Sequence, residues 1–234
     1  MNNDQIREAF LTLATPAIAD ACRKLNLPVR AAPMGVMPIT RDMRLAGRAF
    51  PAQYYGSVDI VLEAIDLMEN GEVLILDNGG RSDAACVGDL TIVEAHKQRL
   101  SGIVVWGCHR DTGELRKIAF PVFTYGRCPH GSLELTKRPE DALNVATIGE
   151  HRITQDDVVF GDEDGILFVA YAHVEAVISK AREVQRVERE QISGIYEGRS
   201  LRVQFKFDDY LDKRKADPSY TFRDHLKNVG GTAG

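Results

Sequence analysis

The sequence contains few cysteines, and they are widely separated. Cys22, Cys86, Cys108 and Cys128 are the only four in 234 residues, and no two of them form a C-x-x-C pair. This spacing excludes a dense disulfide scaffold. It also gives no support to a structural zinc site, which needs closely paired thiolates. The pattern predicts free thiols in a reducing compartment.

Long apolar runs are also lacking. No stretch approaches the roughly 18 apolar residues of a membrane span. The first residues, Met1 to Gln5, are polar and do not resemble the basic and then apolar start of a secretory signal. These features predict a cytoplasmic protein that does not bind membranes.

An excess of positive charge is absent as well. The chain has 29 Lys and Arg against 34 Asp and Glu, which gives a formal net charge of −5. This balance argues against a broad basic surface for nucleic acid. The hydrophobic fraction of 44% and charged fraction of 27% are typical of a globular protein. The length fits one large domain or two small ones.

The middle of the chain carries the clearest structural pattern. Residues 73–76 and 103–106 are short, continuous apolar runs, which are typical of strands buried on both faces. Residues 90–100 between them predict a helix, and residues 77–89 predict a polar, glycine-rich loop. A strand, a helix and a second strand at this spacing predict a βαβ unit with a right-handed crossover.

Further elements flank this unit. Thr15 is predicted to cap a helix that has Pro16 at its first position, and Asp164-Gly165 predicts a hairpin turn. Strands are predicted at residues 45–55, 121–125, 145–148, 158–160 and 166–170, and helices at residues 59–68 and 173–197. The chain is therefore predicted to be α/β, with one domain over residues 1–180. Residues 181–234 are predicted to be a helix and polar tail that packs on the same or a neighbouring subunit.

Two short segments of the βαβ unit carry residues suited to chemistry. Gly88-Asp89-Leu90 begins the helix, and Arg110-Asp111 follows the second strand. Ligands of open α/β sheets gather at helix N-termini and at the carboxyl ends of strands, so both segments should meet. Helix amides and the Arg110 guanidinium suit a small anion. Asp111 can hold a magnesium ion, and Asp89 can orient a water on that ion.

Each of these residues also has a simple structural explanation. Asp89 alone is commonly a helix N-cap, and Arg110-Asp111 alone is commonly a solvated turn. His109 is either a proton donor or substrate contact, or a neutral residue packed inside the protein. The acidic residues 162–164 lack the spacing of a calcium-binding loop and are better explained as a hairpin turn.

The spacing of these residues resembles a known family. Asp89 is followed by twenty residues and then by Arg110-Asp111, which matches the D-x20-R-D signature of the RraA-like family. Residues 15–20, 71–77, 88–90, 121–123 and 161–166 resemble further segments of that family in the same order. The resemblance covers about residues 10–185, and residues 222–231 faintly resemble the family's C-terminal ending.

The resemblance implies a fold and an activity. The fold would be a phosphohistidine-domain-like, layered α/β/β core with a C-terminal helical extension. The family includes the class II 4-hydroxy-4-methyl-2-oxoglutarate/4-carboxy-4-hydroxy-2-oxoadipate aldolases, which release pyruvate by retro-aldol cleavage and often decarboxylate oxaloacetate. It also implies a homotrimer or a hexamer with sites near subunit interfaces.

The resemblance also implies roles for individual residues. Asp111 would ligate Mg²⁺ or Mn²⁺, and Asp89 would orient a metal-bound water. Arg110 would bind the carboxylate and oxygen of a small 2-oxo acid, and the amides of Gly88, Asp89 and Leu90 would complete the pocket. Together these roles would form the catalytic centre of a metal-dependent lyase.

Two departures from the family pattern leave the substrate open. Trp106 replaces a common aspartate, and Cys108-His109 replaces a small and an aliphatic residue. These changes spare the residues for metal and pyruvate but leave the identity of the aldol acceptor half of the substrate open. Two alternatives remain. In the first, the protein is a non-catalytic regulator that binds a ribonuclease, like some family members. In the second, it is an enzyme that acts on another hydroxy or oxo acid.

Overall fold

A computed structural model describes residues 1–229 of the chain. It divides into two compact units, one of residues Met1–Ile178 and one that begins at Ser179. Residues 230–234, at the end of the predicted tail and of the segment that resembles the family's C-terminal ending, lie outside the described residues. None of the helices within residues 1–229 combines the length and apolar character needed to cross a membrane.

Strands and helices alternate from residue 45 to residue 127 of the first unit. The strands are β1 (Arg30–Ala31), β2 (Met37–Pro38), β3 (Leu45–Gln53), β4 (Val73–Val87), β5 (Gly102–His109), β6 (Val122–Arg127), β7 (Ala146–Ile148), β8 (His151–Ile153), β9 (Asp157–Asp162) and β10 (Gly165–Ala170). The helices are α1 (Asn3–Phe10), α2 (Thr15–Lys24), α3 (Asp59–Leu67), α4 (Asp89–Lys97) and α5 (Thr112–Ile118), followed by α6 (Val174–Tyr196), α7 (Leu201–Gln204), α8 (Phe207–Ala216) and α9 (Phe222–Val229).

One mixed sheet organises the first unit. Its strand order is β1-β10-β9-β3-β4-β5-β6-β2, and β7 pairs with β8 separately. Strands β3, β4, β5 and β6 run parallel, whereas β9 joins β3 antiparallel. The predicted βαβ unit is formed by β4, α4 and β5, with Leu74 opposite Ile103. The predicted α/β class is confirmed.

The apolar runs of β4 and β5 are buried on both faces because each face packs against a different layer. Leu74 and Val105 join a cluster that includes Ile92 of α4. Ile75 and Val104 join a second cluster on the other face with residues of β9 and β10. This arrangement produces the layered α/β/β core and explains why alternating polar residues are missing from these strands.

The loop predicted for residues 77–89 is wrong in its extent. Strand β4 continues to Val87, with three register irregularities against β5. Gly79 and Gly80 have φ values of 64° and 68°, which glycine adopts without the steric cost that other residues meet. The extra residues bulge out there, and residues 84–87 return to the sheet as a buried apolar segment. Helix α4 begins two residues after this segment, at Asp89.

The N-cap predicted at Thr15 is also wrong. Helix α2 begins at Thr15, and Ala14 occupies the cap position. The N–H and hydroxyl of Thr15 donate to the Asp162 carboxylate at 2.8 and 2.7 Å. Asp162 also accepts the Asp164 N–H at 3.1 Å, so it stabilises the hairpin between β9 and β10. The predicted turn at residues 162–164 is confirmed.

The tail is more structured than its polar sequence indicates. Helices α7, α8 and α9 bring aromatic side chains together, with the Tyr210 and Phe222 rings 5.0 Å apart. A ring nitrogen of His225 lies 2.7 Å from the Phe205 carbonyl oxygen. These contacts join residues from separate short helices, so the polar composition of the tail does not reveal them. The second unit therefore has a small core of its own.

Candidate active site

The predicted site residues meet at the carboxyl ends of two neighbouring parallel strands. Asp89 is the first residue of α4, which follows β4, and Arg110-Asp111 follows β5. The backbone N–H of Arg110 donates to the backbone carbonyl of Val87 at 3.0 Å. This bond ties the end of β5 to the end of β4 and holds both segments in one place.

Gly88 lies under the Arg110-Asp111 pair. A Cβ built on this residue would lie 2.4 Å from Oδ2 of Asp111 and 3.2 Å from Nε of Arg110. Any larger residue would displace the aspartate carboxylate. The Asp89 N–H also donates to Oδ2 of Asp111, at 3.4 Å. Glycine at position 88 therefore allows the close approach that forms the site.

Asp111 adopts an uncommon backbone conformation. Its φ is 59° and its ψ is 34°, in the left-handed region, which costs a non-glycine residue roughly 1–2 kcal/mol. Its carbonyl accepts the Glu114 N–H at 2.9 Å and so starts α5. Strain of this kind is concentrated at functional sites. Here it turns the carboxylate back towards Gly88.

Arg110 and Asp111 form an ion pair that remains accessible. Nε of Arg110 lies 3.3 Å from Oδ2 of Asp111, and the two side chains are 49% and 35% exposed. A pair this exposed adds little to stability. The accessible guanidinium can still form a two-bond fork with a carboxylate.

Asp89 is not the N-cap of α4. Gly88 occupies that position, and the Thr91 hydroxyl donates to the Gly88 carbonyl at 2.8 Å. Oδ1 of Asp89 accepts the Leu90 N–H at 2.7 Å. Its other carboxylate oxygen, Oδ2, accepts no hydrogen bond from any group within residues 1–229. One oxygen of Asp89 is therefore left for a ligand or a proton.

His109 is packed inside the protein rather than open to the site. Its Nδ1 lies 2.7 Å from the Thr124 hydroxyl and its Nε2 lies 2.9 Å from the Thr112 hydroxyl. Burial lowers the pKa of His109. The structure favours the neutral, packed alternative, in which His109 anchors the first residue of α5 beside Asp111.

The donors present suit a cation that keeps most of its water. Within residues 1–229, no three carboxylate, thiol or imidazole side chains come close enough to enclose a metal. Magnesium commonly binds through one or two protein carboxylates and several waters. The accessible carboxylates of Asp111 and Asp89 provide this kind of donor set, so the residues fit the ion implied by the family resemblance.

The structure adds neighbours that the sequence pattern did not single out. A Cβ built on Gly131 would lie 3.7 Å from Nη1 of Arg110. The Ala85 N–H donates to the His130 carbonyl at 2.9 Å, which holds this loop beside the site. Tyr54 directly follows β3. The parallel pairing of β3 with β4 is the signal that would have placed Tyr54 at the same edge of the sheet as the candidate site.

A mainly apolar cavity of about 560 Å³ lies in the first unit, away from the predicted site residues. Residues 15–37 and 163–167 contribute its lining, and none of the predicted site residues takes part. Among the described residues, its lining contains the acidic Glu163 and Asp164 but no cationic side chain that could bind a carboxylate. Its size therefore does not identify it as the reaction site.

Comparison with known proteins assigns the chain to a family. Residues 15–168 match the profile of the RraA-like family, described as Aldolase/RraA. The chain therefore belongs to the RraA-like family. The match contains Gly88, Asp89, Leu90, Arg110 and Asp111 in a single segment.

Two relatives and one solved structure illustrate the similarity. Protein DlpA of Legionella pneumophila is 25% identical over 72% of this chain, which spans only 28% of that protein. A Dechloromonas aromatica protein, provisionally named as a 4-hydroxy-4-methyl-2-oxoglutarate aldolase, is 28% identical over 67% of this chain and 96% of its own. The structure of an uncharacterised Pseudomonas syringae protein matches with a TM-score of 0.75 at 25% identity. It covers 85% of this chain and 95% of that one. The predicted RraA-like fold is confirmed.

Proposed function

We propose that this protein is a divalent-metal-dependent lyase that cleaves a 4-hydroxy-2-oxo acid and releases pyruvate, with oxaloacetate decarboxylation as a second activity. The observation that carries the proposal is the convergence of Asp89, Arg110 and Asp111 around Gly88. The aldolase name of the Dechloromonas relative supports the same reaction class. The chemistry requires an anion site beside an acidic group that can hold a cation, and these residues provide both.

Arg110 has the central binding role in this proposal. Its guanidinium binds the carboxylate of the 2-oxo acid and lies beside the C2 oxygen. In the retro-aldol step the C4 hydroxyl loses its proton, the C3–C4 bond breaks, and the electron pair generates an enolate. Arg110 stabilises the negative charge that develops on the C2 oxygen. The enolate then takes a proton at C3 and becomes pyruvate.

The two aspartates have different tasks. Oδ2 of Asp89 accepts the C4 hydroxyl proton, directly or through a water. Asp111 is the protein ligand for Mg²⁺ or Mn²⁺. A bound divalent cation would supply Lewis-acid stabilisation of the same developing charge. The Arg110–Asp111 ion pair keeps the cation site and the carboxylate site adjacent.

A coupled assay tests this proposal. Purified protein is incubated with Mg²⁺ and either oxaloacetate or 4-hydroxy-4-methyl-2-oxoglutarate, and pyruvate is detected with lactate dehydrogenase. We expect pyruvate formation well above the rate with Mg²⁺ alone. A rate no higher than that background with both substrates would refute the cleavage of these two acids. It would leave the two alternatives, a non-catalytic regulator that binds a ribonuclease and an enzyme that acts on another hydroxy or oxo acid.

The assembly is a separate part of the proposal. The family resemblance leads us to propose a homotrimer or a hexamer. Light scattering coupled to size-exclusion chromatography measures the mass directly. A mass equal to one chain of 25.9 kDa would refute this assembly.

A further inference from the structure

A second, smaller cavity lies at the same edge of the sheet as the candidate active site. Its volume is about 170 Å³, and Tyr54, Asn78, Arg81, Ser132 and Glu134 contribute to its lining. Tyr54 follows β3, Asn78 and Arg81 belong to the bulged part of β4, and the other two follow β6. The cavity therefore forms where parallel strands end, as ligand sites of α/β sheets do.

The cavity is next to Arg110. Gly131, whose added Cβ would lie 3.7 Å from Nη1 of Arg110, directly precedes the lining residue Ser132. Burial raises the pKa of Tyr54, and Arg110 opposes that rise through its positive charge. A molecule whose carboxylate binds Arg110 can therefore extend into this cavity.

The charges around the cavity disfavour a second carboxylate. Arg81 is the one cationic side chain among the described residues that line it. Nε and Nη2 of Arg81 already donate to the Asp83 carboxylate at 2.9 and 3.0 Å. The hydrogen bond to Asp83 raises the pKa of Arg81, and the negative charge of Glu134 adds to the effect. No net positive charge is left to attract an anion.

The remaining groups suit hydroxyl groups. Ser132 and Thr136 contribute hydroxyl oxygens that can accept, because their own protons go to the Glu134 and Tyr55 carbonyls at 2.8 and 3.2 Å. Asn78 contributes an amide and Tyr54 contributes a phenolic hydroxyl. Each hydroxyl of a ligand donates one hydrogen bond and accepts others, so it needs such a mixture of partners. The volume exceeds the share of one water, about 30 Å³, several-fold. A fragment of three carbons with its hydroxyls fits.

We propose, on the basis of the lyase function above, that this cavity binds the aldehyde half of the substrate and selects an uncharged, hydroxyl-bearing fragment. The substrate class is then a 2-oxo-3-deoxy sugar acid rather than a dicarboxylic acid. The C3–C4 bond breaks, C4 becomes the aldehyde carbonyl as its hydroxyl loses a proton, and C3 receives the electron pair and a proton. The products are pyruvate and a neutral hydroxyaldehyde, with no oxidant or reductant involved.

Two substrates that differ in the charge of the leaving fragment test this inference. A 2-oxo-3-deoxyhexonate leaves glyceraldehyde, whereas 4-hydroxy-2-oxoglutarate leaves glyoxylate, and both leave pyruvate. We expect kcat/KM to be at least about tenfold higher for the sugar acid, a ratio that requires a difference of only about 1.4 kcal/mol in transition-state binding. An equal or higher kcat/KM for 4-hydroxy-2-oxoglutarate would overturn the inference.

Variants of the lining assign the selection to the cavity. Tyr54→Phe removes only a hydroxyl. It should raise the KM for the sugar acid and so lower the ratio of kcat/KM for the sugar acid to kcat/KM for 4-hydroxy-2-oxoglutarate. Glu134→Gln should lower the same ratio by raising kcat/KM for 4-hydroxy-2-oxoglutarate, whose leaving fragment is anionic. Tyr125→Phe, on β6 and absent from this lining, is the matched control and should preserve the ratio. An unchanged ratio in both cavity variants would overturn the inference.

The failure of this inference can be distinguished from failure of the lyase function. Pyruvate from oxaloacetate or 4-hydroxy-2-oxoglutarate but none from the sugar acid would overturn only the selection. The absence of pyruvate from all three substrates would overturn both.

Discussion

Replacement of Gly88 by alanine is the most specific perturbation of the site. The added Cβ would lie 2.4 Å from Oδ2 of Asp111, whereas ordinary contacts are 3.4–4 Å. The Asp111 carboxylate must therefore move by about 1 Å. A shift of this size at a reacting centre can cost about 10²-fold in rate. The negative φ of Gly88, −152°, is accessible to alanine, so the backbone is not the source of the effect.

Stability should change little because the displaced groups are accessible. Asp111 and Arg110 are 35% and 49% exposed, and a pair of this kind contributes at most about 1 kcal/mol. For a chain of this length, 1 kcal/mol corresponds to about 2–4 °C in Tm. We therefore expect Gly88→Ala to lower kcat/KM about 10²-fold while Tm falls by only a few degrees.

Steady-state pyruvate release and thermal unfolding of the same preparation provide the two measurements. Gly113→Ala is the matched control because it lies two residues from Asp111 and its added Cβ would meet nothing within 4 Å. We expect this control to keep its activity. Full activity in Gly88→Ala, or an equal loss in Gly113→Ala, would refute the reasoning.

Three further predictions follow from the same contacts. Asp111→Asn should lower kcat by about 10²-fold or more with a change in unfolding free energy within about 1 kcal/mol; unchanged turnover would exclude Asp111 as the cation ligand. Chelation of divalent ions should abolish pyruvate release and added Mg²⁺ should restore it, whereas activity that survives exhaustive chelation would contradict metal dependence. Burial lowers the pKa of His109. As the pH falls through the ordinary histidine pKa of about 6.5, the unfolded chain therefore binds more protons than the folded protein. The folded protein consequently loses stability as the pH falls through that value. The drop in Tm from pH 7.5 to 5.5 should therefore be larger for the wild type than for His109→Gln, and equal drops would contradict this account.

The convergence of Asp89 with Arg110 and Asp111 was predictable from the sequence because parallel strands end at one edge. Apolar runs at residues 73–76 and 103–106 were sufficient to predict β4 and β5. Asp89 and Arg110 follow those strands in the chain, so the fold brings them together. The prediction needed only the strand order and the location of a helix N-terminus.

The shape of the pocket was not predictable in the same way. The bulge at Gly79 and Gly80 lengthens β4 through left-handed backbone angles that the sequence does not specify. Tyr54 and Ser132 reach the second cavity only because β3 and the segment after β6 flank this bulge. The helices of the tail depend on contacts such as that between Tyr210 and Phe222, which link separate segments and cannot be read from either segment alone.

The binding site of pyruvate tests the central claim most directly. A crystal structure of the protein grown with Mg²⁺ and pyruvate should show the pyruvate carboxylate on the Arg110 guanidinium and the ion on the Asp111 carboxylate, above Gly88. Pyruvate bound elsewhere, with Arg110 and Asp111 free of both ligands, would contradict the assignment of these residues to a pyruvate-forming centre.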